Sequence, residues 1–285
     1  MRLSMLKLLM IASLLSSSLI ASKTIDDKIL KYEKNRIGSI LKRQGINLEK
    51  VTILLKQDLK QDGWHGYVFN LHFKIKGIER TERDSLFTNG SMITPDLISF
   101  KTKRSFKDVL YPKLSDKYFS KEHLIAGNPN AKHSLVIFSD PLCPICVDEV
   151  PFIIKKVLDN PKNIALYYYH LPLDMHPTAK TLSKASIIAR KLGIKNVDYR
   201  IYNENFPDKY KFDAYKEKNH QKVLNFFNKE FGTNITMKQI ADIELENKIK
   251  YDIKMSEDAL VKGTPTIFFD GIVDIRRDKY EKYLK

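Results

Sequence analysis

The sequence predicts an α+β protein of two domains, a small helix-plus-antiparallel-sheet domain followed by a larger domain of α/β type. Three observations predict it. Residues 51–75 alternate apolar and polar side chains about an Asp62-Gly63 turn, as a hairpin with one wet face does. Leu135-Val136-Ile137-Phe138 is an unbroken apolar run, the pattern of a strand covered on both faces. A chain of 285 residues is also long for one small core. Disorder and fibrous assembly are excluded by 43% hydrophobic and 11% aromatic residues.

At the start, Arg2 and Lys7 accompany the apolar stretch Leu8–Ile20, which is diluted by Ser13, Ser16, Ser17 and Ser18 and followed by Ala21 and Ser22. Residues 1–22 therefore read as a signal peptide, and the chain is expected to be exported. Cleavage falls near Ala21 or Ser22; because Leu19 and Ile20 spoil a clean small-x-small site, an uncleaved anchor is the alternative. The stretch is short for a membrane span of about 20 residues. No later segment is apolar enough to span, so a soluble mature chain is expected.

Residues 23–105 form the first domain. Ile25, Ile29, Ile37, Ile40 and Leu41 lie near one helical face that ends at Gly45, a C-cap. Val51, Ile53 and Leu55 then alternate, as do Tyr67, Phe69, Leu71, Phe73 and Ile75 beyond the turn, and segments 79–87 and 92–100 add two further strands. Residues 106–126 are expected to be a linker helix, with Leu114, Tyr118 and Leu124 at loosely helical spacing before Gly127-Asn128-Pro129-Asn130. The second domain, 127–285, opens with the buried strand at 135–138. It continues through a helix to about Leu158, a strand at 164–169, a helical insertion over about 178–261 and a last strand at Thr266-Ile267-Phe268-Phe269.

Without residues 1–22 there remain 47 basic and 34 acidic residues, a formal charge of +13. The lysines are scattered singly between apolar positions, which describes a solvated surface, and no nucleic-acid partner is expected.

Two cysteines, both within one run of four residues, are more informative. They cannot staple distant segments, so their purpose is chemical. Cys143-Pro144-Ile145-Cys146 directly follows the buried strand and opens a helix, where unpaired N–H groups and the helix dipole favour a thiolate. Cys143 is the candidate nucleophile; Cys146, one turn on, can resolve a mixed disulfide. A zinc site would need two more ligands that the widely spaced histidines do not offer, so neither metal nor cofactor is expected. Pro151 lies within the same helix and bends it. Gly263-Thr264-Pro265-Thr266 enters the last strand; Pro265 is either an edge device or the site of a cis bond that opens the Thr264 backbone beside Cys143.

These motifs resemble the thioredoxin superfamily. The run from Asp140 to Cys146 after Val136-Ile137-Phe138, together with Thr264-Pro265, resembles its DsbC/DsbG branch of periplasmic disulfide isomerases, as do Leu86-Phe87-Thr88-Asn89-Gly90 and Met92-Ile93-Thr94-Pro95. The resemblance implies a thioredoxin-like catalytic domain behind a cystatin-like dimerisation domain, a homodimer, and a periplasmic location. It implies that Cys143 attacks cysteine-containing exported proteins, that Cys146 resolves, and that Thr264-Pro265 receives a substrate strand. A membrane redox partner is implied as well. Asp140 is then a proton acceptor under the site, or else an acid that forms the turn before Pro141. His170 and His176, flanking Pro172 and Pro177, are assigned to a surface loop, with a place near the site as the alternative.

The function expected is a disulfide isomerase or reductase, because the Pro144-Ile145 pair has no imidazole to support the thiolate as strong oxidants do. A net oxidase and a holdase chaperone are the alternatives.

Overall fold

The computed structural model describes residues 25–284, so the expected signal peptide lies outside the described residues. The chain divides into two compact units between Leu110 and Tyr111.

The first unit begins with helix α1 over 25–43. Its buried stripe of Ile29, Glu33 and Ile37 repeats every four residues and faces the sheet core of Val51, Tyr67, Phe69, Leu71, Phe73 and Leu86. Glu33 tolerates this burial because the Arg36 guanidinium donates to both its oxygens at 2.9 Å. Gly45, at φ +73°, ends the helix, and the Ile46 N–H reaches back to the Leu41 carbonyl at 3.0 Å, closing the left-handed cap that the sequence predicts.

Four antiparallel strands follow in the order β1-β2-β3-β4: β1 Leu48–Asp58, β2 His65–Ile75, β3 Ile78–Thr88 and β4 Ile93–Thr94. Asp62 and Gly63 both have positive φ in the β1–β2 turn. The strand expected over 92–100 shrinks to two residues, because Pro95 has no N–H to continue the ladder. Beyond it, Ile98 makes a single bridge to Ser105, and Phe100 is 90% exposed.

The linker helix expected over 106–126 is absent. Short 3-10 turns at Phe106–Val109, Asp116–Tyr118 and Lys121–His123 stand in its place, starting after Ser105, Ser115 and Ser120. Leu114 and Tyr118 do face a core, which gave the helical spacing its sense, but they do so from a strap laid on the second unit. The Leu114 N–H donates to the Gly271 carbonyl at 2.8 Å, and the Tyr118 hydroxyl to that of Met255 at 3.0 Å. Residues 111–126 thus belong to the second unit rather than to a separate linker.

That unit is built on a five-stranded sheet in the order β5-β7-β6-β8-β9. The strands are β5 Leu124–Gly127, β6 His133–Ser139, β7 Ile164–His170, β8 Thr266–Phe269 and β9 Ile272–Val273. Strands β6 and β7 are parallel and every other pairing is antiparallel. In β6, Leu135 and Ile137 enter one core while Val136 and Phe138 enter the core on the opposite face, so the apolar run is buried on both sides. Helix α2, Pro144–Asp159, packs Val150, Ile153, Ile154 and Val157 into the first of these cores, with Pro151 inside it. Between β7 and β8 come α3 Ala179–Lys191, α4 Val197–Asn203, α5 Phe206–Tyr210, α6 His220–Phe231, α7 Met237–Ile240 and α8 Ile243–Asp258. No helix among the described residues is long and apolar enough to cross a membrane.

Gly127 tests the edge of this sheet. Its φ is +81°, and a Cβ placed there would lie 1.9 Å from the Ile164 carbonyl oxygen. Gly127→Ala is expected to destabilise the protein by about 3 kcal/mol or more, through left-handed strain and displacement of β5 from β7. Urea denaturation measures this, and a loss below about 1 kcal/mol would mean that the β5 edge yields freely.

Candidate active site

Strand β6 ends at Ser139, and the chain turns sharply through Asp140-Pro141-Leu142 before α2. The Cys143 N–H donates to the Asp140 carbonyl at 3.2 Å, closing the turn. Cys143 is the N-cap of α2, in an extended conformation, with Pro144 in the first helical turn. Its carbonyl accepts the first intrahelical bond, from the Val147 N–H at 2.9 Å. The unpaired N–H groups of that first turn therefore open beside the Cys143 sulfur.

Both cysteines are free thiols, 7% exposed at Cys143 and fully enclosed at Cys146. The Cys143 thiol lies 3.5 Å from the Thr264 carbonyl oxygen, to which it donates when protonated. The Thr264-Pro265 bond is cis. The Thr264 hydroxyl is buried and has no hydrogen-bond partner among the described residues.

The two sulfurs are electrostatic opposites. A hydrogen bond from the Cys146 thiol does most to hold Cys143 low; burial opposes it, the Thr264 side chain and the Cys146 backbone N–H add to it, and the Asp140 charge opposes it weakly. The balance brings Cys143 down to about 5. Burial pushes the Cys146 thiol strongly up, and its hydrogen bond to Cys143 pushes it further. One sulfur is an anion at neutral pH, and the other holds its proton.

Asp140 is wholly buried. One carboxylate oxygen accepts from the Leu142 N–H at 2.7 Å; the other accepts from the Leu173 N–H at 2.7 Å and from His176 Nδ1 at 2.8 Å. Asp140 thus forms the turn and also lies beneath the site. For His176, burial opposes protonation, but the hydrogen bond and charge of Asp140 outweigh it, and the net shift is upward.

The placement of His170 and His176 in a surface loop is corrected: both are buried. Asp140 draws the segment after β7 under α2, and His176 also meets the Tyr215 ring edge-on at 4.8 Å. His170 instead sits at the end of β7, accepting from Arg190 across 3.1 Å. Sequence reading missed Ser139, Tyr168 and Tyr202, whose hydroxyls gather next to Cys146. The one visible signal was a serine closing the apolar run Leu135–Phe138. Among the described residues no group of side chains is arranged to hold a metal ion.

A cleft of about 270 Å³ adjoins the cysteines, walled by Leu142, Pro144, Val147 and Tyr215 and rimmed by Asp148 and Asp208. A thiolate at a helix start, a buried partner thiol one turn on and a facing cis-proline carbonyl define a thiol–disulfide oxidoreductase of the thioredoxin type.

Residues 120–285 match the family model described as Thioredoxin, and the chain belongs to that family. Among solved structures, it is similar to a putative protein-disulfide isomerase from Pseudomonas syringae, at 16% identity over 57% of this chain and 96% of that one, with a TM-score of 0.48. It is also similar to oxidised BdbD from Bacillus subtilis, at 18% identity over 62% and 98% of the chains, TM-score 0.46. A thioredoxin-like oxidoreductase from Silicibacter pomeroyi DSS-3 is 18% identical over 56% and 87%, with a TM-score of 0.46. No curated protein matches the chain.

The thiolate makes the site measurable. Alkylation of the reduced native protein should modify Cys143 alone, with a midpoint near pH 5, while Cys146 reacts only after denaturation. Equal labelling of both residues, or a midpoint near the ordinary value of about 8.5, would contradict the asymmetry.

Proposed function

We propose that this protein is an exported, periplasmic thiol–disulfide oxidoreductase that acts as a disulfide isomerase or reductase on cysteine-containing exported proteins. The observation that carries the exchange chemistry is the Cys143 sulfur, an anion at about pH 5 and above, set opposite the Thr264 carbonyl; the isomerase or reductase direction rests on the Pro144-Ile145 pair, which brings no imidazole to the thiolate, and on Thr264 before the cis-proline.

In this reaction the Cys143 thiolate attacks a substrate disulfide. A bond forms between Cys143 and one substrate sulfur, and the other leaves as a thiolate. In isomerisation that thiolate attacks a different disulfide of the same substrate, and the thiolate set free there attacks the substrate sulfur of the mixed disulfide, forming a new substrate disulfide and expelling Cys143 as the thiolate it began as. In reduction, Cys146 displaces the substrate and leaves a Cys143–Cys146 disulfide for a membrane reductant to open. Thr264 and Pro265 receive the substrate strand, the Thr264 carbonyl accepting one of its backbone N–H groups. Asp140 acts by holding the loop and His176, since three donors already occupy its carboxylate.

The first unit supports the DsbC/DsbG-like form of this reading. A helix on a four-stranded antiparallel sheet, without cysteines, suits a cystatin-like module that joins two copies into a homodimer.

Net oxidase activity is the second reading, and the Cys143 shift favours it: an anion stabilised at about 5 favours the reduced pair, which makes the disulfide a ready donor. The redox state of the pair in the cell separates the two. A mostly reduced pair supports isomerase or reductase, and a mostly oxidised pair overturns it in favour of oxidase.

Cys146→Ala is expected to attack without releasing, so covalent complexes with exported cysteine proteins should accumulate on non-reducing gels and vanish with reductant. Cys143→Ala should give none; equal trapping by both variants would reverse the assignment. For assembly, the intact chain should sediment as a dimer and a chain beginning at Tyr111 as a monomer. A dimer in the second case would move the interface out of the first unit.

A further inference from the structure

The cleft beside the cysteines is apolar within, and every charged residue in its lining is acidic. Leu142 and Pro144, the chain neighbours of Cys143, contribute to it together with Val147 of α2. The helical insertion contributes the rest, with Pro207 from α5 and Ala214 and Tyr215 from the loop beyond. Leu142 and Ala214 are buried, Tyr215 is 51% exposed, and the volume of about 270 Å³ holds one side chain. The charged lining residues are Asp148 on α2, Asp208 on α5 and Asp213 after it. Asp213 is paired with Lys216 at 3.0 Å. Asp208 accepts from the Asn205 amide at 2.7 Å and meets no cation, and Asp148 has no partner among the described residues. In a chain with 49 basic and 34 acidic residues, a cleft lined by acids alone departs from the rest of the surface.

A substrate cannot avoid this cleft. For Cys143 to attack, a disulfide has to come within bonding distance of its sulfur, and the residues beside the substrate cysteine are then brought against Leu142, Pro144 and what adjoins them. Unpaired carboxylates there repel an acidic neighbour and attract a basic one. An apolar neighbour gains by leaving water for the cleft lining. We propose that this cleft is a specificity subsite of the exchange reaction, selecting disulfides whose cysteine is flanked by a lysine or arginine and by an apolar residue. Asp148 and Asp208 are the residues that set the charge preference. The proposal rests on the exchange reading above and names its substrate class, the basic and partly apolar segments of exported proteins.

A basic neighbour also acts without the protein's help. It favours the thiolate of the substrate cysteine and attracts any attacking thiolate, so it speeds exchange with a simple thiol as well. The two effects separate, because only the contribution of the cleft depends on Asp148 and Asp208. An exposed ion pair changes affinity by about threefold, and salt at about 0.1 M screens it beyond roughly 10 Å. Two unpaired carboxylates therefore give a preference on the order of tenfold between a cation and an anion at the same place.

The test uses the intact reduced protein and a set of peptides with a single cysteine, preceded by leucine and followed by lysine, glutamate or serine. Each cysteine carries 5-thio-2-nitrobenzoate, which leaves readily and so directs attack to the peptide sulfur. The bond from Cys143 to that sulfur forms, the sulfur–sulfur bond breaks, and the electron pair leaves on thionitrobenzoate, whose colour gives the rate. Each ratio of rates is divided by the ratio found with dithiothreitol, which removes the effect that is independent of the protein. The lysine peptide should then react about tenfold faster than the glutamate peptide at low salt. The preference should fall to about twofold in Asp148→Asn/Asp208→Asn, and contract in the unaltered protein at about 0.5 M salt. Asp208→Lys should carry it toward glutamate. Serine in place of the peptide leucine should slow the lysine peptide about fivefold. A lysine-to-glutamate ratio no greater than that of dithiothreitol overturns the subsite, as does a ratio that the double variant leaves unchanged. Release of no thionitrobenzoate from any peptide, the serine one included, overturns the exchange reading instead.

Discussion

The buried Asp140 carboxylate is the interaction on which the site depends. It accepts from Leu142 before α2 and from Leu173 and His176 after β7, so one side chain ties together two loops that leave neighbouring parallel strands. Hydrogen bonds to an ionised group contribute about 1.5–3 kcal/mol each. Here they also spend the carboxylate on structure, which keeps a second negative charge from bearing fully on Cys143. The imidazole held above it restores positive charge to the same spot as His176 gains its proton.

On that base, three residues of helix separate two sulfurs of opposite character. Cys143 stands at the end of the helix, where N–H groups have no partners, and Cys146 stands one turn inside, where nothing is wet. A nucleophile needs the first environment. A resolving thiol needs the second while it waits, because a buried thiol that holds its proton does not attack prematurely. In the proposed exchange, solvation rather than residue type orders the pair in time.

Much of this was legible in the sequence, for local reasons. Positive-φ turns at Asp62-Gly63, the Gly45 cap and the doubly buried β6 follow from patterns a few residues long. The cysteine pair stood out by its spacing. Strap residues Leu114 and Tyr118 misled because a four-residue apolar spacing serves a helix face and a chain laid across a sheet equally well. Pro95 carried the warning against a longer β4, but the alternation around it was stronger. His176 and the hydroxyl chain were out of reach, since Tyr202 meets Ser139 across 63 residues and His176 meets Asp140 across 36. No local period encodes such contacts.

The helices inserted between β7 and β8 have a consequence for biogenesis. They place Thr264 121 residues after Cys143, and β8 must still find β6 across the whole insertion. Loop closure over such a distance is slow compared with the forming of a helix or a hairpin. During synthesis the two thiols emerge well before the strand that completes their pocket, so a nascent chain carries only an ordinary pair of cysteines. The activated sulfur belongs to the finished fold alone, because the Thr264 carbonyl that faces it arrives with the last strand of the sheet.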